Sequence, residues 1–102
     1  MRSPHEIKGV IEIRLKNYLS RDRTGVRRAL LHLFLQVKYL TISDIFAILA
    51  RKFSISYHSL AAMVGLIASK IGILHITKSR EGSCSVYSLK EQYAGMVKRI
   101  VS

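Results

Sequence analysis

Along most of this chain apolar residues recur at spacings of three and four, and in two short stretches they alternate, a pattern that predicts five helices and one hairpin. Ser3-Pro4-His5-Glu6 reads as a capping box with proline at the first helical position, so the first helix starts at Pro4. Ile7, Ile11, Leu15, Tyr18 and Leu19 form its core stripe; Val10 and Ile13 fall outside the stripe, where ordinary packing is expected to cover them. After the polar break Ser20-Arg21-Asp22-Arg23-Thr24-Gly25, a second helix is expected over 25–39 with Thr24 as its cap. Val26, Ala29, Leu30, Leu33, Phe34 and Val37 make one face of it and Leu31 and Leu35 the other, leaving Arg28, His32 and Gln36 as a narrow wet strip. A helix apolar around most of its circumference is a buried central one.

Thr41 caps the third helix, whose core residues are Ile42, Ile45, Phe46, Leu49 and Phe53, and Leu40 with Ile45 has the spacing of a hydrophobic staple. The device repeats at once. Ser56 caps the fourth helix, Ile55 and Leu60 staple it, and Leu60, Met63, Val64, Ile67 and Ile71 face the core; Gly72 stands where a left-handed stop is needed. Periodicity then switches to alternation in Leu74-His75-Ile76-Thr77-Lys78 and Cys84-Ser85-Val86-Tyr87-Ser88, a hairpin with a glycine-containing tip over 79–83. Ser88-Leu89-Lys90-Glu91 reads as another capping box, opening a last amphipathic helix with Leu89, Tyr93, Met96, Val97 and Ile100 on its apolar side.

Two helices joined by a short turn and followed directly by a basic hairpin is the order of a winged helix-turn-helix. The expected fold is therefore α+β, mainly α: a winged helix-turn-helix with a leading helix, a two-stranded wing and a C-terminal helix. A chain of 102 residues holds this as one domain over 1–102, with the helix-turn-helix over 41–72, the wing over 74–88 and the last helix over 89–101.

Charge turns the architecture toward a partner. Lys and Arg number 17 against 6 Asp and Glu, a formal net charge of +11, and an excess that repels itself on folding is most often tolerated because a polyanion binds. No acidic residue occurs between Ile45 and Arg80, a stretch that contains Arg51, Lys52, Lys70 and Lys78. Double-stranded DNA is the expected partner, with phosphate contacts from Arg51, Lys52, Lys70, Lys78 and Arg80. Lys78 and Arg80 flank the hairpin tip, where Gly82 permits a tight bend and basic side chains reach phosphates or a minor groove. The face of the fourth helix opposite the core carries His58, Ala62, Gly65 and Ser69, with Tyr57, Ser59 and Ala61 near its start. Arg, Lys, Asn and Gln make the strong bidentate contacts to bases. None lies on this face, and Lys70 is expected at the core edge. Tyr57, His58, Ser59 and Ala62 thus complete a DNA-contacting set with weak base discrimination. The small residues of the same face also suit close helix packing, so a protein-interaction winged helix stays open as an alternative, as does an RNA-binding module. Arg21, Arg23, Arg27 and Arg28 form a second basic cluster around the start of the second helix, either an anion site at its free amides or a solvated loop.

Residues 24–89 resemble the DNA-binding half of the ferric uptake regulator family. The likeness rests on Ser56-Tyr57-His58-Ser59-Leu60, matching that family's recognition helix, and on Ile71-Gly72-Ile73-Leu74, matching its glycine–aliphatic exit into the wing. The resemblance implies a leading helix, three helices and a two-stranded wing, with the fourth helix in or against the major groove. No counterpart of the regulators' metal-sensing and dimerising domain is expected in this chain. The chain also looks like a small uncharacterised archaeal winged-helix family, a likeness that implies no activity.

Other classes find little to stand on. The carboxylates are scattered, with no pair at a helical spacing suited to acid–base work, so no enzyme is expected. Alternation points the lone Cys84 into the hairpin's buried face, and a single cysteine fits a reducing cytoplasm. His5, His32, His58 and His75 share no ligand spacing and no glycine-rich phosphate loop follows a strand, so no metal, cofactor or small-molecule ligand is expected. The apolar stretches are far short of a membrane span, and the core accounts for the apolar faces, so no membrane partner is expected. Either the first or the last helix can pair two copies into a homodimer, the usual arrangement for one-module duplex binders.

Overall fold

In the computed structural model, which describes residues 3–78 and 84–102, three of the helices start where a side chain takes an otherwise unpaired amide. Ser3 accepts from the Glu6 amide to open α1 (Pro4–Ser20), and Ser56 accepts from the Ser59 amide to open α4 (Tyr57–Leu66). Thr41 and Asp44 form a complete capping box at the start of α3 (Ile42–Leu49), each side chain accepting the other's backbone N–H at 3.0–3.1 Å.

The second helix, α2 (Val26–Gln36), begins differently from expectation. Its cap residue is Gly25, held at φ 87°, and the main acceptor is Asp22 rather than Thr24. The Asp22 carboxylate takes the amides of Gly25, Arg27 and Arg28 at 3.1–3.3 Å, and Thr24 takes only that of Val26, at 3.3 Å. All four amides that a helix start leaves orphaned are thereby satisfied. The far end also moves: α2 stops at Gln36, because Val37 turns extended and its exposed side chain leaves the core face it was assigned to. The chain goes extended so that Leu40 can pair with Tyr87, each residue donating its amide to the other's carbonyl at 2.9 and 2.7 Å.

After Leu66 the fourth helix widens into a π-helical turn, Ile67–Ile71, closed by the Gly72 amide on the Ile67 carbonyl with Gly72 left-handed at φ 84°. The glycine was expected; the wide turn was not. The wing follows as β1 (Leu74–Lys78) and β2 (Ser85–Leu89), an antiparallel pair in which Leu74 opposes Leu89 and Lys78 opposes Ser85. This register corrects two expectations. Ser88 and Leu89 belong to the strand, so the last helix, α5 (Glu91–Val101), starts two residues later than the proposed box, with no side-chain cap at Lys90. Tyr87 and Leu89 pack against the core, which leaves Cys84, of opposite parity, exposed rather than buried. The tip residues 79–83, and with them Arg80 and Gly82, lie outside the described residues.

The core gathers on α2, which packs against α1, α3, α5 and β2. Leu30, Leu31, Leu33 and Phe34 are buried on two sides of it, as its all-round apolar pattern requires, and meet Leu15, Ile45, Leu60, Val64, Ile67, Ile73 and Val97. On α1 the stripe is shorter than expected: Ile11, Leu15, Tyr18 and Leu19 are buried, but Ile7 is exposed, and Ile13 is 61% exposed instead of packed. Arg99 of α5 and Lys16 both pair with Glu12, tying α5 to α1 and holding the Glu12 carboxyl below its usual range. No helix among the described residues is long and apolar enough to cross a membrane.

Candidate nucleic-acid interface

The helix-turn-helix is set by packing between α3 and α4. Leu60 and Val64 on α4 and Ile45 and Leu49 on α3 are buried together, and the Phe46 and Tyr57 rings meet edge-on with centroids 5.6 Å apart. That packing turns the opposite side of α4 outward: His58, Ser59, Ala62 and Ser69 are exposed and Gly65 half-buried. Tyr57 is divided between two roles. About half its surface is open, but its ring leans on Phe46 and its hydroxyl lies 3.4 Å from that of Ser43. Ser59 accepts a hydrogen bond from the Ser56 hydroxyl at 3.0 Å, which leaves its own O–H proton available. The Ser69 hydroxyl is spent on the Gly65 carbonyl at 2.8 Å.

The expected phosphate-contacting residues occupy three places. Arg51 and Lys52 are exposed on the turn that follows α3, its backbone closed by the Lys52 and Phe53 amides on the Leu49 carbonyl. Lys70 is exposed on the π turn, not lodged at the core edge, and Lys78 is exposed at the end of β1. Arg80 lies outside the described residues. Both salt bridges found among the described residues converge on Glu12, so none involves the helix-turn-helix or β1.

The second basic cluster is taken apart by the fold. An anion cannot use the start of α2, since its amides already donate to Asp22 and Thr24. Arg27 donates to the Tyr18 carbonyl at 2.8 Å and lies over the Tyr18 ring, 4.4 Å from its centroid. Arg28 donates to the Val101 carbonyl at 2.6 Å and pins the end of α5. Arg21 and Arg23 stay exposed. Folding also makes a grouping that the linear order hid. Arg14, Arg21 and Arg27 come together with Lys70 around one groove between α1 and the π turn, and the Arg14 guanidinium donates to the Lys70 carbonyl at 3.1 Å. Arg14 lies outside the basic clusters that the linear order marks, although Arg14, Asn17, Tyr18 and Arg21 recur at the i, i+3, i+4, i+7 spacing of a single helix face.

Among the described residues, five helices, the fourth extended by a π turn, and a two-stranded wing define a winged helix-turn-helix. The crystal structure of a cysteine-to-serine mutant of MarR from E. coli superposes with a TM-score of 0.63 at 18% identity, covering 94% of this chain and 68% of that one, a likeness of fold. By sequence, the chain belongs to the family described as protein of unknown function (DUF2551), which matches residues 15–97. An uncharacterized protein of Archaeoglobus fulgidus is 45% identical over 96 residues, spanning 93% of this chain and 96% of its own. These findings carry the winged helix and the archaeal kinship; they lend no support to the likeness to ferric uptake regulators.

Proposed function

We propose that this protein binds double-stranded DNA as a transcriptional regulator or small chromatin-associated factor, holding the duplex by its phosphates and discriminating weakly between bases. The observation that carries the reading is the set of exposed cations on the α3–α4 turn, the π turn and β1, none paired with a carboxylate among the described residues. Arg51, Lys52, Lys70, Lys78 and Arg80 would bind phosphates, and His58, Ser59, Ala62 and the open part of Tyr57 would touch base edges. Each of those base-facing groups offers one hydrogen bond or a methyl contact, which supports a small specificity ratio. The MarR neighbour supports the fold on which this reading rests, and a homodimer pairing through α1, whose Ile7 and Ile13 are exposed, belongs to the same proposal.

Binding to random-sequence duplex DNA, titrated with salt, tests it. About five phosphate contacts should give a slope of roughly −4 to −5 in log affinity against log salt, and Lys78→Glu with Arg80→Glu should flatten it by about two. A salt-independent affinity, or no binding, would overturn the reading. The exposed small residues of α4 favour one competitor, a helix that docks a protein partner. Gly65→Arg separates the two, because a Cβ at Gly65 meets nothing within 4 Å and the fold should tolerate the change. DNA affinity should hold or rise, whereas a protein interface there would be lost.

A further inference from the structure

We infer that the groove between α1 and the π turn is a binding site for a small organic phosphate. The groove has a volume of about 630 Å³, within the range of small-molecule sites. Arg14, Arg21, Arg27 and Lys70 line it, Asn17 adds a polar group, and among the described residues no carboxylate lines it. The rest of the wall is apolar, from Leu66, Ile71 and the Tyr18 ring. Two of the guanidiniums are held in place by internal bonds, Arg14 on the Lys70 carbonyl and Arg27 on the Tyr18 carbonyl, each leaving further N–H donors free. Tyr18 is only 8% exposed, and its hydroxyl has no hydrogen-bond partner among the described residues. The guanidiniums would take the phosphate's charge in charge-assisted bonds, with the Tyr18 side chain forming part of the groove wall beside them.

The apolar wall separates this ligand from a stretch of DNA backbone. A phosphodiester strand needs a line of cations and gains nothing from Leu66 and Ile71, whereas a phosphate on an aromatic or aliphatic body uses both kinds of surface. The site does not depend on DNA binding. It would, however, put negative charge beside Lys70, one of the proposed phosphate contacts.

Calorimetric titration of the full chain with phenyl phosphate, at constant ionic strength and without DNA, tests the assignment. Phenyl phosphate should bind saturably at one site and more tightly than inorganic phosphate, since only the former fills the apolar wall. Arg14→Gln and Lys70→Gln, both at exposed positions, should each weaken it about tenfold, the loss of one charge-assisted bond. Lys98→Gln, exposed in the last turn of α5 and outside the groove lining, should leave it unchanged. Absence of saturable binding, or equal weakening by all three variants, would overturn the assignment. So would phenyl phosphate failing to bind while Arg14→Gln weakens duplex DNA, which would make the groove part of the nucleic-acid surface.

Discussion

Replacing Asp22 by alanine tests how the start of α2 is held. One carboxylate there takes three backbone amides, those of Gly25 and Arg27 on one oxygen and of Arg28 on the other. Loss of a single capping side chain costs typically about 1 kcal/mol and up to about 2. Three amides lose their acceptor at once, which puts the loss near the top of that range, and because Asp22 is partly exposed the freed amides would recover water and hold it to about 2 kcal/mol. For a domain of this size that lowers the melting temperature by about 10 °C. Thr24→Ala removes only the bond to Val26 and should cost about 0.5 kcal/mol; Asp22→Asn, which keeps one acceptor oxygen, should fall between. Thermal unfolding by circular dichroism, with urea titration as a check, measures all three. A loss for Asp22→Ala no larger than that for Thr24→Ala would refute the capping argument. It would also reopen the start of α2 as an anion site, because the amides would then be free.

Two further expectations follow from single buried or strained positions. Burial pushes the Tyr18 hydroxyl up from 10.0 to about 12, with Arg27 opposing and Asp22 assisting. The unfolded chain therefore gives up this proton near pH 10 while the folded one keeps it to about pH 12, so stability should be unaffected at neutral pH and fall by roughly 3 kcal/mol across that window. Urea titrations at several pH values should show Tyr18→Phe losing less over the same window and being no less stable at pH 7; identical alkaline limbs would show that the hydroxyl is not buried. Gly72→Ala and Gly65→Ala make the same chemical change with opposite expected signs. Neither new Cβ meets anything within 4 Å, but Gly72 sits at φ 84° and should lose about 1 kcal/mol, whereas Gly65 is ordinary helix and should gain up to about 1. Changes of the same sign would mean that backbone conformation does not decide the outcome.

Whatever depended on interactions within about four residues was legible in the chain. Ser3, Thr41 and Ser56 cap the helices they precede, Gly72 stops the fourth, and the all-round apolar pattern of the second helix makes it central. The winged-helix order follows from those signals together with the switch to alternation. Where two local acceptors competed, as Asp22 and Thr24 did, spacing alone chose the wrong one, because the loop's path decided which oxygen reached the amides. The limits of α2, β2 and α5 were set by pairing across the fold: Leu40 with Tyr87 ends the second helix, and Leu74 with Leu89 claims residues that would otherwise cap the last one. The same pairing put Cys84 outside. The basic groove is the furthest removed from sequence, since Arg14 and Lys70 lie 56 residues apart and become neighbours only when α1 packs beside the π turn. Helix propensity and capping are written residue by residue, but which charges end up sharing a surface is decided by how buried faces dock, and no short window of sequence contains that.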